Sequence, residues 1–507
     1  MTRIRIDPGQ AMIILVPPLT ILLAMLLCLH GSGARSLVDR PLALDEFHTF
    51  LVAGDPSFSH SWNALKRGAD YNPPALYLLI RVYSGMTGGL DERSLRSFSL
   101  LSVFIGLVGV YALLRESFAR SVAIAGTFAT LAHPLLILHA FDARFYGPWF
   151  AATSWFCALL NKSKSDRYEV GLSFASIILC AIHYFGIISW ALITASHLLL
   201  TTKLPRRSSL NLPALMSGPI ALVACLLIFY PGQRSAISVP TWISKPGFSH
   251  VHDFLVSLFP ALLFAIPGVA ALVDAVIGAR FGRSTVVSDP QGDPSLDRLA
   301  GATSLAFMPF AILGFTFLVQ PAALARYAIP SVLVVGPVVA YSLRSTRRTM
   351  AATVASAFVL LAVINFAFCA RAYLNHESLD VLKAIAIVRS QETGRTPVII
   401  LSNQREIAYQ LWKYAPELRD RVRILHPSDI HDGPLTNYEQ LESDVASRLH
   451  ELYGTPGVVR LADLPRVNTI YLLTSHVDAE PLAEKLADYQ ARVVYKQRAT
   501  CLQLSRR

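Results

Sequence analysis

Several short stretches of this 507-residue sequence gather residue types that can do chemistry. "LDEFHTF", residues 44–50, places Asp45, Glu46 and His48 almost side by side. "FDARFYGPW", 141–149, holds Asp142, Arg144 and Tyr146, "HYFG", 183–186, joins His183 to Tyr184, and "ARYAIP", 325–330, offers Arg326 and Tyr327. "KRGADYNPP", 66–74, adds Lys66, Arg67 and Asn72. Carboxylates and imidazoles move protons when a reacting group lies within hydrogen-bond reach. A guanidinium grips a phosphate through paired N–H bonds.

Each stretch also has a plain structural reading. Asp45 could cap a helix, and Asp142 and Arg144 could be a surface ion pair of little energetic weight. Arg326 could snorkel to an interface. His183 and Tyr184 could belong to an aromatic belt, and "NPP" at 72–74 could open a helix. The phase of 45–52 adds a constraint. Phe47, Phe50 and Leu51 fall on one helical face and Asp45, His48 and Thr49 on the other. This predicts a short amphipathic helix at the membrane surface, its apolar side toward lipid and Glu46 on the flank.

The elements that must position these groups are apolar. The chain is 53% hydrophobic and only 16% charged, against about 25% charged in soluble proteins. Runs at roughly 11–30, 97–114, 121–139, 146–161, 169–183, 185–202, 211–230, 253–277, 299–319, 327–343 and 349–370 approach the ~20 residues a membrane helix needs. That predicts about eleven spans, with a shorter interfacial helix at 74–86. The first run is longer than a signal-peptide core and is expected to remain as a helix.

With the N-terminus cytoplasmic, the short inner loops carry Arg115 and Arg120; Lys162, Lys164 and Arg167; Lys203, Arg206 and Arg207; Arg280, Arg283 and Arg298; and Arg344, Arg347 and Arg348. The short outer loops carry only Arg144, Arg234, Lys245 and Arg326. This bias sets the orientation and accounts for the net charge of +11 without a nucleic-acid partner. It places every cluster named above at the outer ends of the spans. The first outer loop runs over about 31–96, and a membrane domain over 1–371.

The remainder, 372–507, is polar. "PVIIL", "RVRIL", "TIYLL" and "ARVVY" read as strands, and 404–415 and 437–453 as helices. This is a small α/β domain, extracytoplasmic on an odd span count. The six cysteines are scattered without a C-x-x-C pair, which indicates neither a zinc site nor a disulfide framework.

Taken in order, the clusters resemble those of the GT-C fold glycosyltransferases that use lipid-phosphosugar donors. The resemblance is nearest to bacterial relatives of protein O-mannosyltransferases and aminoarabinose transferases. It rests on "LDEFHTF", "YNPPALYLL", "DARFY", "HYFG" and "RYAIP" and covers about residues 10–370. Two departures stand out. Asn72 takes the place of a lysine or histidine before the proline pair, which puts aminoarabinose transfer in doubt, and Asp142 replaces the more usual glutamate.

The resemblance implies an inverting transfer of a sugar from a polyprenyl phosphate to an envelope lipid, glycan or protein, at the outer face of a bacterial inner membrane. Asp45 would be the general base, with Glu46 and Asp142 beside it. Arg144 and Arg326 would hold the leaving phosphate, with Lys66, Arg67 and Asn72 as further candidates. Tyr146, His183, Tyr184 and Tyr327 would line the substrate. No cofactor is required. A divalent metal is compatible, with His48 as its ligand and His183 and Asp142 as further candidates, but no ligand spacing demands one. Other readings make the chain a transporter or flippase of lipid-linked substrates, or a scaffold for its C-terminal domain.

Overall fold

The computed structural model describes residues 8–160, 162, 166–201, 211–238, 246–280, 298–374, 386, 389, 398–402, 405–429, 437–464, 469–475, 489–496 and 499–506. Each apolar run of the sequence is helical there. Pro8–Gly31, Glu92–Arg115, Tyr146–Leu160, Asp166–Ile182, Gly186–Thr201, Leu212–Ser238 and Arg348–Leu374 are unbroken helices. The run at 299–319 is carried by Ala300–Ser304 and Met308–Leu318, and that at 327–343 by the 3-10 segment Ala325–Val334 and Val335–Ser342.

The other two runs are bent. Arg120–Leu131 meets Pro134–Ala140 at 64°, and Phe248–Leu258 meets the helix beginning at Ala261 at 46°. The first break has a local cause. Pro134 has no N–H to continue the helix, and His133 restarts it by accepting the Leu135 N–H on Nδ1 at 3.1 Å. The turn that follows Pro134–Ala140 carries Asp142 and Arg144.

Among the described residues, five helices are long and apolar enough to cross a membrane, or seven if each bent pair is one span. This is a multi-pass membrane protein, and among the described residues its full-length spans number fewer than the about eleven expected. One reason is length, plain in Tyr146–Leu160, a helix of only 15 residues that is buried along nearly all of them. It is apolar because it runs through the core, which hydropathy alone does not separate from a lipid-facing helix. Other helices keep large apolar side chains open on one side, among them Leu23, Val170, Leu227, Leu318 and Phe368. Such faces mark a lipid or protein contact.

Three short helices fill the first loop: Leu44–Gly54, Phe58–Lys66 and Ala75–Thr87, the last at the run expected to be a short interfacial helix. The C-terminal region forms one six-stranded sheet from β1 (Val398–Ser402), β2 (Val422–Leu425), β3 (Gly457–Val459), β4 (Thr469–Ser475), β5 (Tyr489–Lys496) and β6 (Ala499–Arg506), in the order β3-β2-β1-β4-β6-β5. β1 lies parallel to β2 and β4, and β6 runs antiparallel to β4 and β5. Helices Arg405–Tyr414 and Asn437–Tyr453 connect the parallel strands. The first of these rests on helix Leu44–Gly54. Phe47 stacks on Tyr409 with ring centroids 4.8 Å apart, and its edge meets Trp412 at 5.8 Å. The apolar face expected to meet lipid therefore meets the C-terminal region, because two aromatic rings on that region offer Phe47 a dry partner.

Candidate active site

The first turn of Leu44–Gly54 is closed by its own carboxylate. Glu46 Oε2 accepts from the Ala43 N–H at 2.9 Å and from Arg96 Nη2 at 2.8 Å. Its Oε1 accepts from the Ala143 N–H at 2.9 Å and from Arg40 Nη2 at 3.2 Å. Glu46 is buried, and these bonds fill the acceptor sites of its two oxygens. Glu46, expected among the catalytic carboxylates, presents no unbonded carboxylate oxygen in this geometry. Glu46 is a brace that ties the first loop to Glu92–Arg115 and to the "DARFY" segment.

Asp142 is likewise held. Its Oδ1 accepts from Arg40 Nη2 at 3.1 Å, its Oδ2 lies 2.7 Å from His139 Nδ1, and its carbonyl accepts from Ser99 Oγ at 2.5 Å. Arg40 thus bridges Asp142 and Glu46.

Asp45, one residue earlier than Glu46, is exposed. Its carbonyl accepts from Arg144 Nη1 at 2.8 Å. Among the described residues no hydrogen bond or ion pair is made to its carboxylate.

Arg144 is buried and needs a counter-charge. Asp70 supplies it, with Nη1 to Oδ2 at 2.6 Å and Nη2 to Oδ1 at 3.4 Å. Arg144 Nη1 also donates to Thr49 Oγ1 at 2.8 Å. Asp70 in turn accepts from the Tyr71 N–H at 2.7 Å and from Asn72 Nδ2 at 3.3 Å. Burial pulls the Asp70 carboxyl upward, but the Arg144 guanidinium outweighs it and leaves Asp70 below its ordinary value. The sequence reading missed Asp70. The signal was there, because a buried Arg144 demands an acid and Asp70 is the sole carboxylate between 68 and 90.

A further segment reaches this pair. Gln233 Nε2 donates to the Asp70 carbonyl at 3.0 Å, and Tyr184 Oη donates to Gln233 Oε1 at 2.6 Å. The contact depends on glycine. A Cβ at Gly232 would lie 1.7 Å from the Lys66 carbonyl, and Gly68, at φ 77°, faces the Gly232 carbonyl from the other side. Only two bare backbones can approach so closely. In "HYFG", Gly186 serves the same end, since its Cβ would sit 1.8 Å from the Leu179 carbonyl. The tight turn sets the His183 ring against Phe145 at 4.1 Å, Trp149 at 4.9 Å and Tyr327 at 5.6 Å. Tyr146 packs on Phe145 at 4.4 Å and on His139 at 4.6 Å. The Arg326 guanidinium lies 5.6 Å from the Tyr327 ring centre.

His48 is buried between these groups and Tyr409, and its Nε2 has no hydrogen-bond partner among the described residues. Burial pushes the imidazole down to about 4, against the pull of Asp70 and Asp45, so it is neutral near pH 7. Among the described residues no three His, Cys, Asp or Glu side chains come together to hold a metal ion. Among the described residues neither His48 nor His183 belongs to such a set.

The structure unites Asp45, Asp142, Arg144, Tyr146, His183, Tyr184, Arg326, Tyr327 and Asn72 at one end of the helices. It does not bring in Arg67, whose guanidinium pairs with Glu451 at 2.7 Å on the surface, and Lys66 beside it is exposed. A separate cavity of about 690 Å³ lies at the far end of Leu44–Gly54, between Arg81, His60, Trp412 and Tyr453. Residues 231–250 lie partly outside the described residues.

No protein-family profile matches the chain, and no curated protein matches it. Among solved structures it is similar to ArnT from Cupriavidus metallidurans bound to undecaprenyl phosphate. That likeness has 16% identity and a TM-score of 0.53 over 98% of each chain. The apo state of the same protein aligns at 13% identity and a TM-score of 0.56, over 96% of this chain and 97% of that one. An oligosaccharyltransferase from Archaeoglobus fulgidus aligns more loosely, at 12% identity and a TM-score of 0.42, over 92% of this chain and 71% of that one. The two ArnT alignments establish the architecture: from end to end this chain has the GT-C fold of ArnT.

Proposed function

We propose that the protein is an inverting glycosyltransferase that moves a sugar from a polyprenyl phosphate to an acceptor in the cell envelope. The observation that carries the reading is the state of Asp45. In a cluster where Glu46, Asp70 and Asp142 are all hydrogen-bonded and paired, Asp45 alone keeps an exposed, unbonded carboxylate among the described residues. Similarity in fold to a protein solved with undecaprenyl phosphate supports the class of donor.

In this reading Asp45 takes the proton of an acceptor hydroxyl as the oxygen attacks the anomeric carbon. The bond from that carbon to the phosphate oxygen breaks, and polyprenyl phosphate departs with the electron pair. The configuration inverts because attack and departure occur on opposite faces. The passing state is oxocarbenium-like, as in glycoside hydrolysis. Arg326 stabilises the charge growing on the leaving phosphate. Arg144 is already neutralised by Asp70, so it contributes orientation by holding the Asp45 carbonyl rather than a free charge. Glu46 and Asp142 act through Arg40 as positioning residues.

The same reading keeps the N-terminus in the cytoplasm of a bacterial inner membrane, about eleven crossings in all, and the α/β region 372–507 outside. Expression of wild type and Asp45→Asn in a deletion strain tests it. The wild type should restore a glycan that the variant does not. Restoration by the variant sinks the reading.

A further inference from the structure

The cavity at the far end of Leu44–Gly54 is walled by both parts of the chain. The first loop supplies Phe50, Asp55, His60 and Arg81, and the C-terminal region supplies Trp412 and Tyr453. At about 690 Å³ it has the size of a small-molecule site. Its rings are fixed in place. Trp412 Nε1 donates to the Gly454 carbonyl at 3.0 Å, Tyr453 meets the His60 ring edge-on at 5.2 Å, and Lys413 Nζ sits 3.3 Å from the centre of the Phe50 ring. Walls already ordered lose little entropy when a ligand enters.

The charges decide what kind of ligand fits. Asp55 is the one carboxylate among the lining residues, and it is buried and committed. Its Oδ1 accepts from the Ser57 N–H at 2.8 Å, and its Oδ2 lies 2.5 Å from His60 Nδ1. Arg81 is different. Its Nη1 donates to the carbonyls of Ala53 at 3.3 Å and Asp55 at 2.5 Å, which fixes the guanidinium at the wall. Among the described residues no carboxylate pairs with Arg81, and its Nε and Nη2 make no hydrogen bond. A guanidinium held through one nitrogen keeps the others for an anion. Aromatic rings suit the C–H bonds on the face of a sugar, because the ring face is electron-rich.

We propose that this cavity binds an acidic sugar of the acceptor, one that bears a carboxylate or a phosphate. The anion lies on Arg81, and the sugar ring lies against Trp412, Tyr453 and Phe50. Assigning the sugar to the acceptor rests on the reading of the protein as a transferase. Gly54 on the cavity wall follows Asp45 along one helix by about 13 Å, at 1.5 Å per residue. The sugar held here is therefore remote from the hydroxyl that reacts. One helix carries both the base and a wall of the remote site, so an acceptor seated there is placed in register with Asp45. Binding energy from such a remote part serves to position the reacting centre. The site also gives the C-terminal region a role, since it supplies Trp412 and Tyr453.

The test uses the purified full chain in detergent and three probes: glucuronate, glucose 6-phosphate and glucose. Binding is read by saturation-transfer NMR on the sugar protons. One or both acidic sugars should bind saturably, and glucose about tenfold more weakly or worse, because it cannot form charge-assisted bonds with Arg81. Arg81→Gln should remove that difference. Gly85→Leu is the decisive variant if Arg81→Gln does not fold. A Cβ at Gly85 meets no atom within 4 Å, so a larger side chain fills the cavity while the Arg81 bonds stay intact. It should abolish binding. The proposal is overturned if neither acidic sugar binds, if glucose binds as tightly, or if Gly85→Leu binds like wild type. A second arm follows donor consumption by mass spectrometry, with a lipid extract of the deletion strain as donor and its envelopes as acceptor. Both variants should raise the half-saturating amount of envelope about tenfold, with a smaller effect on the rate at saturation. An unchanged half-saturating amount in variants that no longer bind acidic sugars overturns the assignment to the acceptor. If wild type consumes no donor, it is the transferase reading that fails, and the NMR arm still decides whether the cavity takes an acidic sugar.

Discussion

Replacing Asp70 by alanine should be among the most damaging single changes in the first loop. Asp70 and Arg144 are both buried, and the guanidinium meets the carboxylate at 2.6 and 3.4 Å. Removing one partner of such a pair strands the other charge away from water, at a cost of about 3–5 kcal/mol. At 1.4 kcal/mol per factor of ten, the opened state becomes roughly a hundredfold to several thousandfold more populated. The stranded Arg144 would also release the Asp45 carbonyl and Thr49. Unfolding of detergent-solubilised protein by sodium dodecyl sulfate, followed by tryptophan fluorescence, measures the loss. Arg144→Met alone should be comparably harmful. The double variant should be milder than the sum of the two by about 2 kcal/mol, since neither charge is then left alone. The exposed pair of Arg93 with Asp39, at 2.8 Å, is the internal reference, and Asp39→Ala should change nothing measurable. The reasoning is refuted if Asp70→Ala is as mild as Asp39→Ala, or if the double variant is simply additive.

Three other expectations follow from the same geometry. His48 is held near 4, below its unfolded value of about 6.5. The unfolded chain takes up a proton that the folded chain refuses, so the stability tied to His48 is present above pH 6.5 and is lost as the pH falls toward 4. Melting curves across that window should show His48→Gln losing less stability than wild type. Gly232→Ala should force Leu212–Ser238 away from the Lys66 carbonyl and break the Gln233 bond to Asp70, which faster hydrogen exchange at 69–73 would report. Arg67→Ala should leave donor consumption unchanged, because its partner is Glu451 on the surface and not the cluster. A large loss of rate would restore Arg67 as a phosphate ligand.

Much of the architecture was legible because it rests on local pattern. Every apolar run became helix, and the strands at "PVIIL", "RVRIL", "TIYLL" and "ARVVY" appear as β1, β2, β4 and β5. β3, three residues long, and β6, at the chain end, carry too little periodicity to stand out. Loop charge predicted these segments at one end of the spans, and the Arg144 bond to the Asp45 carbonyl and the stacking of His183 on Phe145 and Tyr327 join them there. What stayed hidden is long-range. Asp70 answers to Arg144, 74 positions away, and Gln233 to Asp70 across 163. The amphipathic pattern of 45–52 showed an apolar face but could not say that Tyr409 rather than lipid covers it. Tyr409 belongs to a helix whose own sequence gives no hint of the first loop.

The most direct measurement of the central claim is a comparison of lipid-linked sugars and envelope glycans by mass spectrometry. It would use the deletion strain complemented with wild type or with Asp45→Asn, at equal amounts of folded protein in the membrane. The account predicts that wild type restores one glycan and clears one accumulated polyprenyl-phosphosugar, while Asp45→Asn does neither. Restoration of the glycan by Asp45→Asn, or a deletion strain with unchanged lipids and glycans, would contradict it.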